Sequence, residues 1–301
     1  TPATIAITHS VFNITATVAW LPFSNLLVKL ACLTIRDDKS DEVSKEDQEF
    51  MILESRFLEK PAFAVEQGRN AARHMERDSR KALDISLGLL RNYEEEQAER
   101  VQKIETKVDR YEDELGTYLV KLNNKDLSEK DSHSVSIMLH CIGDFERISD
   151  HAVNIMESAR ELHEKNLSFS PEARTELQVL VSVVGRIVDT AYDVFDKQDM
   201  NLTRDVEPLE EMVDELSREM KRRHVNRLRS GECTIEMGFI LTDLITSLER
   251  IADHCSNISV CVTQVRENLY DTHSYLESLK NEPDEGYYNR LEELQREYVL
   301  P

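Results

Sequence analysis

The sequence predicts an all-α protein made of two tandem three-helix bundles, preceded by a transmembrane helix segment. Charged residues make up 32% and aromatic residues 6% of the 301 residues, with only 8 Gly and 7 Pro. This composition is typical of long helices with exposed charged faces. A unit of about a hundred residues occurs twice, which indicates two copies of one helical fold.

Turn-forming interruptions divide the repeated region into six helices. The clearest are NNKDLSEKDS at 123–132 and RSGEC at 229–233. Both prolines between residues 62 and 270 are placed at helix starts, and Ser170 before Pro171 supplies an N-cap. The predicted helices cover about 63–92, 97–122, 133–165, 171–198, 205–229 and 234–270.

Each unit carries two acidic motifs. ERISDHAVNI at 146–155 returns as ERIADHCSNI at 249–258, with seven of ten letters shared at a spacing of 103. V-x-x-x-E-x-x-V-D occurs at 101–109 and again at 206–214, at a spacing of 105. Both motifs place two acids four residues apart, on one face of a helix, where like charges destabilise the helix by a few tenths of a kcal/mol per pair.

For one such pair, a solvated charged face is a sufficient explanation. The repetition favours a functional cluster, because a hairpin of two such helices brings four carboxylates together, and these stay ionised only beside positive charge. Oxygen-rich clusters suit iron, manganese, magnesium, calcium or, less readily, zinc. Asn154 and Asn257, one turn further along, are candidates for supporting contacts. Arg147 and Arg250 offer an alternative, since a buried arginine neutralises acids without a metal.

Composition and missing motifs argue against other functions. A net charge of -21 repels phosphate backbones and disfavours nucleic acid as a partner. The sequence has no G-x-S-x-G, Walker A or G-x-G-x-x-G segment and no E-x-x-H pair, so no enzyme activity is predicted. The five cysteines form no C-x-x-C pair and are expected to be reduced, packed thiols.

The first 35 residues differ from the rest of the chain. No Asp, Glu, Lys or Arg occurs between Thr1 and Val28, and apolar letters continue to Ile35. About 20 apolar residues span a bilayer. The abrupt change at Arg36 to a charged stretch favours a membrane segment followed by a hydrated linker. A buried helix of a soluble protein is the alternative.

Paired E-x-x-x-D segments, one of them E-R-I-x-D, repeated over two three-helix bundles, resemble the PhoU family of phosphate-signalling proteins. The resemblance implies two multinuclear metal clusters on the bundle surfaces. That family usually has Gly before the Asp of the motif, where this chain has Ser149 and Ala252, which are small enough for the backbones to pack. The implied ligands are Glu105, Asp109, Glu146 and Asp150 for one cluster, and Glu210, Asp214, Glu249 and Asp253 for the other.

The flanking segments are similar to bacterial sodium/phosphate (Na/Pi) cotransporters. THSVFNI and the following TATVAWLPF at 8–23 resemble the end of their membrane domain, and residues 56–75 resemble the linker to their C-terminal PhoU-like domain. The stretch at 271–279 looks like that domain's tail. The implied division is a membrane domain end at 1–35, a charged linker at 36–60, bundles at 61–168 and 169–272, and a tail at 273–301.

This resemblance implies the C-terminal part of a sodium-dependent phosphate symporter in the inner membrane, whose cytoplasmic residues 36–301 regulate transport. The implied partners are inorganic phosphate, sodium as coupling ion, the membrane domain of the same protein and a second copy of the chain. Thr8, Ser10 and Asn13 would lie near the transport site or pack against neighbouring helices. A free-standing PhoU-type regulator and a metal-free helical interaction bundle are the alternatives.

Overall fold

The computed structural model describes residues 2–20, 49–267 and 285–301, and every regular element among them is helical. The chain divides into two compact units, residues 1–48 and 49–301. The first unit contains helix α1, Pro2–Trp20. The predicted all-α class is therefore confirmed for the described part of the chain.

The predicted transmembrane helix is not found in α1. Among the described residues, no helix combines the length and apolarity that crossing a membrane requires. The physical reason is composition, since Thr, His, Ser and Asn side chains interrupt the apolar letters of PATIAITHSVFNITATVAW. The rest of that prediction, residues 21–35, lies outside the described residues.

The second unit contains the six predicted helices and one more near the C-terminus. Their bounds agree with the prediction to within about five residues, which is close to the usual error of a few residues at helix ends. Residues 268–270 of the last predicted helix lie outside the described part. Bundle 1 consists of α2 (Pro61–Leu89), α3 (Glu95–Asn123) and α4 (Glu129–Glu164); bundle 2 consists of α5 (Pro171–Lys197), α6 (Met200–Ser230) and α7 (Ile235–Glu267); α8 spans Glu285–Glu297.

Capping residues explain where two helices begin. The Ser170 hydroxyl accepts a hydrogen bond from the Ala173 amide, so the predicted start of α5 is confirmed. The Ser128 hydroxyl accepts in the same way from the Asp131 amide, which starts α4 four residues before the predicted position. Each cap satisfies a backbone donor that has no partner within its helix.

The placement of Pro208 at a helix start is wrong. Asp199 caps the Asn201 amide at 2.9 Å, so α6 begins at Met200 and Pro208 lies inside the helix. Because proline has no amide hydrogen, the helix loses one backbone hydrogen bond there. Packing of the surrounding apolar face maintains the helix, and Pro208 itself is buried.

One continuous apolar core runs through both bundles. The third helices of the two bundles, α4 and α7, pack against each other. Phe145 of α4 is fully buried and contacts two rings of α5 edge-on, with centroid distances of 5.3 Å to Tyr192 and 5.0 Å to Phe195. Side chains of bundle 1 therefore complete the core of bundle 2.

Helices α4 and α7 cross in antiparallel directions. Cys141 hydrogen-bonds Cys261, whereas His151, further along α4, faces His254, which precedes Cys261 in α7. The E-R-I-x-D motifs lie at this crossing.

The two positions where the PhoU family usually has Gly are buried. Ser149 is fully buried and Ala252 is 1% exposed. Small side chains let two helix backbones approach closely, which is what a glycine at this place also provides.

A short segment covers each bundle. Residues 49–60, assigned from sequence to the charged linker, form two 3₁₀ turns that pack on α2 and α3. Phe50, Leu53 and Leu58 are buried there, so apolar contact overrides the local charge. Helix α8 packs on α6 and buries Leu294 completely. Residues 36–48 and 273–284 of the predicted linker and tail lie outside the described residues.

Candidate functional site

The four predicted acids of bundle 1 lie on facing sides of α3 and α4. Burial raises the pKa of Glu105, a hydrogen bond from Thr106 opposes this rise, and the charges of Asp150 and Asp109 add to it. Asp150 belongs to α4, so the acids of the two helices are close enough to repel each other. The acids of the two motifs in bundle 1 therefore interact across α3 and α4.

Glu146 is the most perturbed carboxyl of this surface. Burial and, next, the charge of Asp150 raise its pKa to about 7. The charge of Arg147 opposes this rise, whereas the hydrogen bond with Asp150 and the charge of Glu112 add to it. Glu112 projects over Gly143 of α4, where an added methyl group would lie 3.9 Å from its Oε1. Five acids thus share this surface.

Arg147 does not neutralise this cluster from a buried position. Its guanidinium is 3.2 Å from Asp150 and 3.4 Å from Glu146, and its side chain is 60% exposed. An exposed ion pair contributes only about 0–1 kcal/mol. Neutralisation by Arg147 without a metal therefore offsets only a small part of the repulsion among these acids.

Bundle 2 has the same motifs but a different charge arrangement. Lys221 Nζ lies 2.6 Å from Glu249, and Arg250 lies 3.2 Å from Asp253. The Arg250 pair matches the Arg147 pair of bundle 1, so the lysine at Glu249 is the difference between the two bundles. Glu210 of α6 is only 7% exposed, and Asp214 is half-buried.

Helix α8 covers the acidic face of α6. The pKa of Tyr287 is raised to about 12 by burial and by four acids of α6. Arg290 is 2.9 Å from Asp205, and Gln295 donates to Glu215, so polar contacts hold α8 along its length. The acids around Tyr287 are Glu211, Glu210, Glu207 and Glu215.

The two asparagines predicted to support the acids make different contacts. Asn154 is exposed and lies 3.4 Å from His151 of its own helix, whereas Asn257 donates to Asp144 of bundle 1 at 3.3 Å. His254 lies 2.9 Å from the same Asp144 oxygen. Burial, and next the neighbouring His254, lower the pKa of His151 to about 4, so this ring is neutral at pH 7. Asp144 and His151 of α4 and His254 and Asn257 of α7 thus join the two helices.

The weak transport-site candidates Thr8, Ser10 and Asn13 are exposed on α1. Asn13 Nδ2 lies 3.1 Å from His9 Nδ1, one helical turn away. This contact lies within α1.

The carboxylate oxygens of bundle 1 are donors that suit a hard cation, but they lie too far apart to coordinate one together in this structure. Among residues 2–20, 49–267 and 285–301, no three Asp, Glu, His or Cys side chains lie close enough together to hold a metal ion. Carboxylates that repel one another spread apart, and a bound cation would draw their oxygens inwards. In bundle 2 the competing Lys221 makes the fit poorer.

Sequence reasoning missed several residues of these surfaces. Glu112 continues the stripe of Glu105 and Asp109 at helical spacing, so extending the motif by one turn would have found it. Lys221 and Tyr287 carry no such signal, because their contacts join segments far apart in the chain.

The family model "PhoU domain" matches residues 72–159 and 177–262, together more than half of the chain. The chain belongs to the PhoU domain family. The two matched stretches lie in bundle 1 and bundle 2, so the repeat read from the acidic motifs is a repeat of this domain. This confirms the resemblance to PhoU proteins.

Curated relatives carry PhoU names. A Thermotoga maritima "phosphate-specific transport system accessory protein PhoU homolog 1" is 29% identical over 115 residues, which is 38% of this chain and 49% of that protein. A Pseudomonas aeruginosa homologue is 25% identical over 62% of this chain and 76% of that protein. The chain thus spans about half the length of the first relative and three quarters of the second. Both are named as accessory proteins rather than as enzymes.

Two solved structures share the fold. PhoU from Pseudomonas aeruginosa superposes with a TM-score of 0.63 at 23% identity, over 68% of this chain and 98% of that one. The phosphate transport system regulatory protein PhoU from Streptococcus pneumoniae gives 0.62 at 15% identity, over 70% and 100%. The PhoU-like bundle fold is therefore confirmed. Neither these structures nor the two relatives supports the predicted symporter, membrane domain or sodium.

Proposed function

We propose that this protein is a PhoU-type regulator of phosphate transport, which corresponds to the free-standing alternative considered from sequence. One observation carries the proposal: the PhoU domain match covers both bundles, and bundle 1 presents the paired acids of the motif on one surface. Such a regulator acts by binding a component of a phosphate transport system and favouring one of its states, which requires a different affinity for each state.

The test uses a bacterial strain that lacks its own PhoU protein. The chain is expressed there, phosphate uptake is measured, and membrane transport components that copurify are identified. The double variant Glu146→Gln/Asp150→Asn is expected to lose both effects, and Glu157→Gln, an exposed acid on the same helix, should retain them. Wild-type chain that changes neither uptake nor copurification would contradict the proposal.

We also propose that the bundle 1 surface binds a metal ion through Glu105, Asp109, Glu146 and Asp150, with Glu112 as a further oxygen donor. Iron, manganese, magnesium, calcium and zinc remain the candidates. A bound cation would supply the positive charge that these carboxylates lack. The bundle 2 set, Glu210, Asp214, Glu249 and Asp253, would bind only after Lys221 gives up Glu249.

Elemental analysis tests the metal proposal directly. Wild-type protein, Glu146→Gln/Asp150→Asn and Glu249→Gln/Asp253→Asn are each incubated with the five metals and desalted. The bundle 1 variant should lose most of the metal and the bundle 2 variant little. If wild-type protein carries no more metal than the bundle 1 variant, the assignment is wrong.

A second candidate function is the regulatory end of a sodium/phosphate cotransporter, and one observation favours it. Four apolar side chains of α1 are between 58% and 70% exposed, which is an unusual concentration for a soluble helix. They are Ile7, Val11, Phe12 and Ile14. Packing against membrane helices would cover them and place residues 36–301 on the cytoplasmic side of the inner membrane.

Fractionation of cells that express the native gene distinguishes the two candidates. A transporter would stay in the membrane pellet through an alkaline carbonate wash and require detergent for extraction. Recovery in the soluble fraction without detergent would rule out the cotransporter and leave the free-standing regulator.

A further inference from the structure

The turn between α6 and α7 carries a thiol in a specific environment. Gly231 ends α6 with a positive φ of 75°, and Cys233 follows two residues later. Cys233 is half-exposed, whereas the three other cysteines of the described residues are buried. Those are Cys141, Cys255 and Cys261. Of the four cysteines in the described residues, Cys233 is therefore the one that is accessible to solvent in the folded protein.

A buried histidine adjoins this thiol. His224 is 6% exposed, and its Nδ1 lies 3.8 Å from Cys233 Sγ. Its Nε2 has no hydrogen-bond partner among the described residues and lies against Gly238, where an added Cβ would be only 2.7 Å away. Any side chain larger than glycine at position 238 would displace the ring. The fold therefore holds the imidazole against the sulfur.

The protonation of His224 follows from these contacts. Burial, and next the charge of Arg227, lower its pKa, so the ring is neutral at pH 7. Nε2 is buried without a partner in either tautomer, so the direction of the Cys233 S–H bond decides where the ring proton lies. The thiol proton points toward the Thr234 carbonyl oxygen at 3.5 Å. The neutral ring thus keeps its proton on Nδ1 and directs it at Cys233 Sγ.

A cavity of about 270 Å³ opens beside this pair. Its walls include the apolar side chains of Phe169, Met237 and Leu241. Arg227, which also lines it, is held by two hydrogen bonds to Glu176, at 3.0 Å and 2.8 Å. The space admits a small uncharged molecule.

We propose that Cys233 is an oxidation site for small hydroperoxides, with His224 as its positioning residue. The Nδ1 hydrogen bond stabilises the thiolate, which is the reactive form of cysteine. The thiolate sulfur attacks one oxygen of hydrogen peroxide, the O–O bond breaks, and the departing hydroxide takes up the proton released by the thiol. The sulfur is oxidised to a sulfenic acid and the peroxide is reduced to water. Two equivalents of a small thiol reverse the modification: the first forms a mixed disulfide and releases water, and the second restores the Cys233 thiol and leaves as the disulfide of the small thiol.

The buried cysteines provide an internal control. Cys141 has a raised pKa because of its hydrogen bond with Cys261 and its burial, and burial also raises the pKa of Cys255. Thiols in such surroundings are inert until the fold opens. The remaining cysteine, Cys32, lies outside the described residues.

The test is a rate measurement on the full chain. Reduced protein is treated with hydrogen peroxide at pH 7, sulfenic acid is trapped with dimedone, and each cysteine peptide is quantified by mass spectrometry. Partial burial by itself can only slow the reaction. Cys233 should nevertheless react about threefold faster in the folded protein than in the same chain unfolded in urea, because the hydrogen bond increases the thiolate population and lowers the nucleophilicity of each thiolate only in part.

Two variants separate activation from exposure. Cys233→Ser should remove the fast trapping entirely. His224→Leu, with folding checked by circular dichroism, should bring the Cys233 rate down to that of the unfolded chain. If Cys233 in wild-type protein reacts no faster folded than unfolded, the proposal is overturned whether or not the leucine variant folds. An unchanged rate in folded His224→Leu would overturn the role of the histidine.

Discussion

Bundles 1 and 2 carry the same acidic motifs in different charge environments. In bundle 1, Glu105 and Glu146 face other acids, and burial and mutual repulsion raise both pKa values. In bundle 2, Glu249 lies 2.6 Å from Lys221 and helix α8 covers the face that carries Glu210. The state of a carboxylate is therefore decided by neighbours outside the motif.

The lysines show how this difference arises. Lys107 lies between Glu105 and Asp109 in sequence, yet it turns to the opposite side of α3, 2.8 Å from Asp78 and 2.5 Å from Glu49. The segment before bundle 1 thus draws a positive charge away from the acidic surface. In bundle 2, Lys221 reaches the acids themselves. Bundle 1 remains the stronger candidate for an external cation.

The largest effect should come from the side chain that joins the two cores. Phe145→Ala removes a fully buried ring that contacts α5 and should cost about 4 kcal/mol of unfolding free energy. Leu248, at the equivalent position of bundle 2, is also fully buried, and Leu248→Ala should cost about 3 kcal/mol. Urea unfolding measures both. A larger loss for the leucine variant would contradict the bridging role of Phe145.

Detaching α8 should remove the cover of bundle 2 alone. Leu294→Asp places a charge where the side chain is completely buried and should weaken the docking of α8 by about 3 kcal/mol. Hydrogen exchange should then lose protection in residues 285–297 and keep it in bundle 1. Asn289→Asp adds the same charge on the exposed side and should leave the protection unchanged. Equal effects of both variants would mean that α8 is not held by its apolar face.

Metal should stabilise the protein through bundle 1. An ion that binds only the folded state adds about 2.7 kcal/mol at about 100 times its dissociation constant. Thermal unfolding with and without manganese should show this gain in wild-type protein and in Glu249→Gln/Asp253→Asn. The gain should be absent in Glu146→Gln/Asp150→Asn. If both double variants lose it equally, the two bundles do not differ as binding sites.

The smallest effect is the removal of one acidic charge from each bundle, which should have opposite signs in the two. The pKa of Glu146 rises from 4.5 to about 7 on folding. Its favourable contribution to the free energy of unfolding is therefore fully present below pH 4.5 and is lost as the pH rises through about 7. Glu146→Gln should therefore stabilise the protein by about 1 kcal/mol at pH 8, since water screens part of the repulsion. Unfolding by urea at pH 4 and pH 8 measures the change.

The matched change in bundle 2 should destabilise the protein. Glu249→Gln loses the ion pair with Lys221 and should cost about 0.5 kcal/mol at pH 8, because this pair is partly exposed. The same sign for Glu146→Gln and Glu249→Gln would show that the surroundings of the two acids are alike.

Much of the fold could be predicted from local chemistry. The apolar spacing and Ser170 before Pro171 place the helices to within a few residues, because these signals act within one or two turns. The error at Pro208 has the opposite origin, since apolar packing along α6 outweighs the local preference of proline. The predicted membrane helix relied on length and missing charges, and the polar side chains of α1 keep the described part of that segment below the apolarity that a membrane span requires.

The sequence by itself determined the doubled helical unit and the helix faces that carry the acids, because a repeat and a period of 3.6 residues are properties of the chain. The tertiary structure alone decided which acids face each other, which are paired with Lys221, and which lie beneath Tyr287. It also placed His224 beside Cys233. Charge interactions depend on distances of a few ångströms between segments that are remote in sequence, and only folding sets those distances.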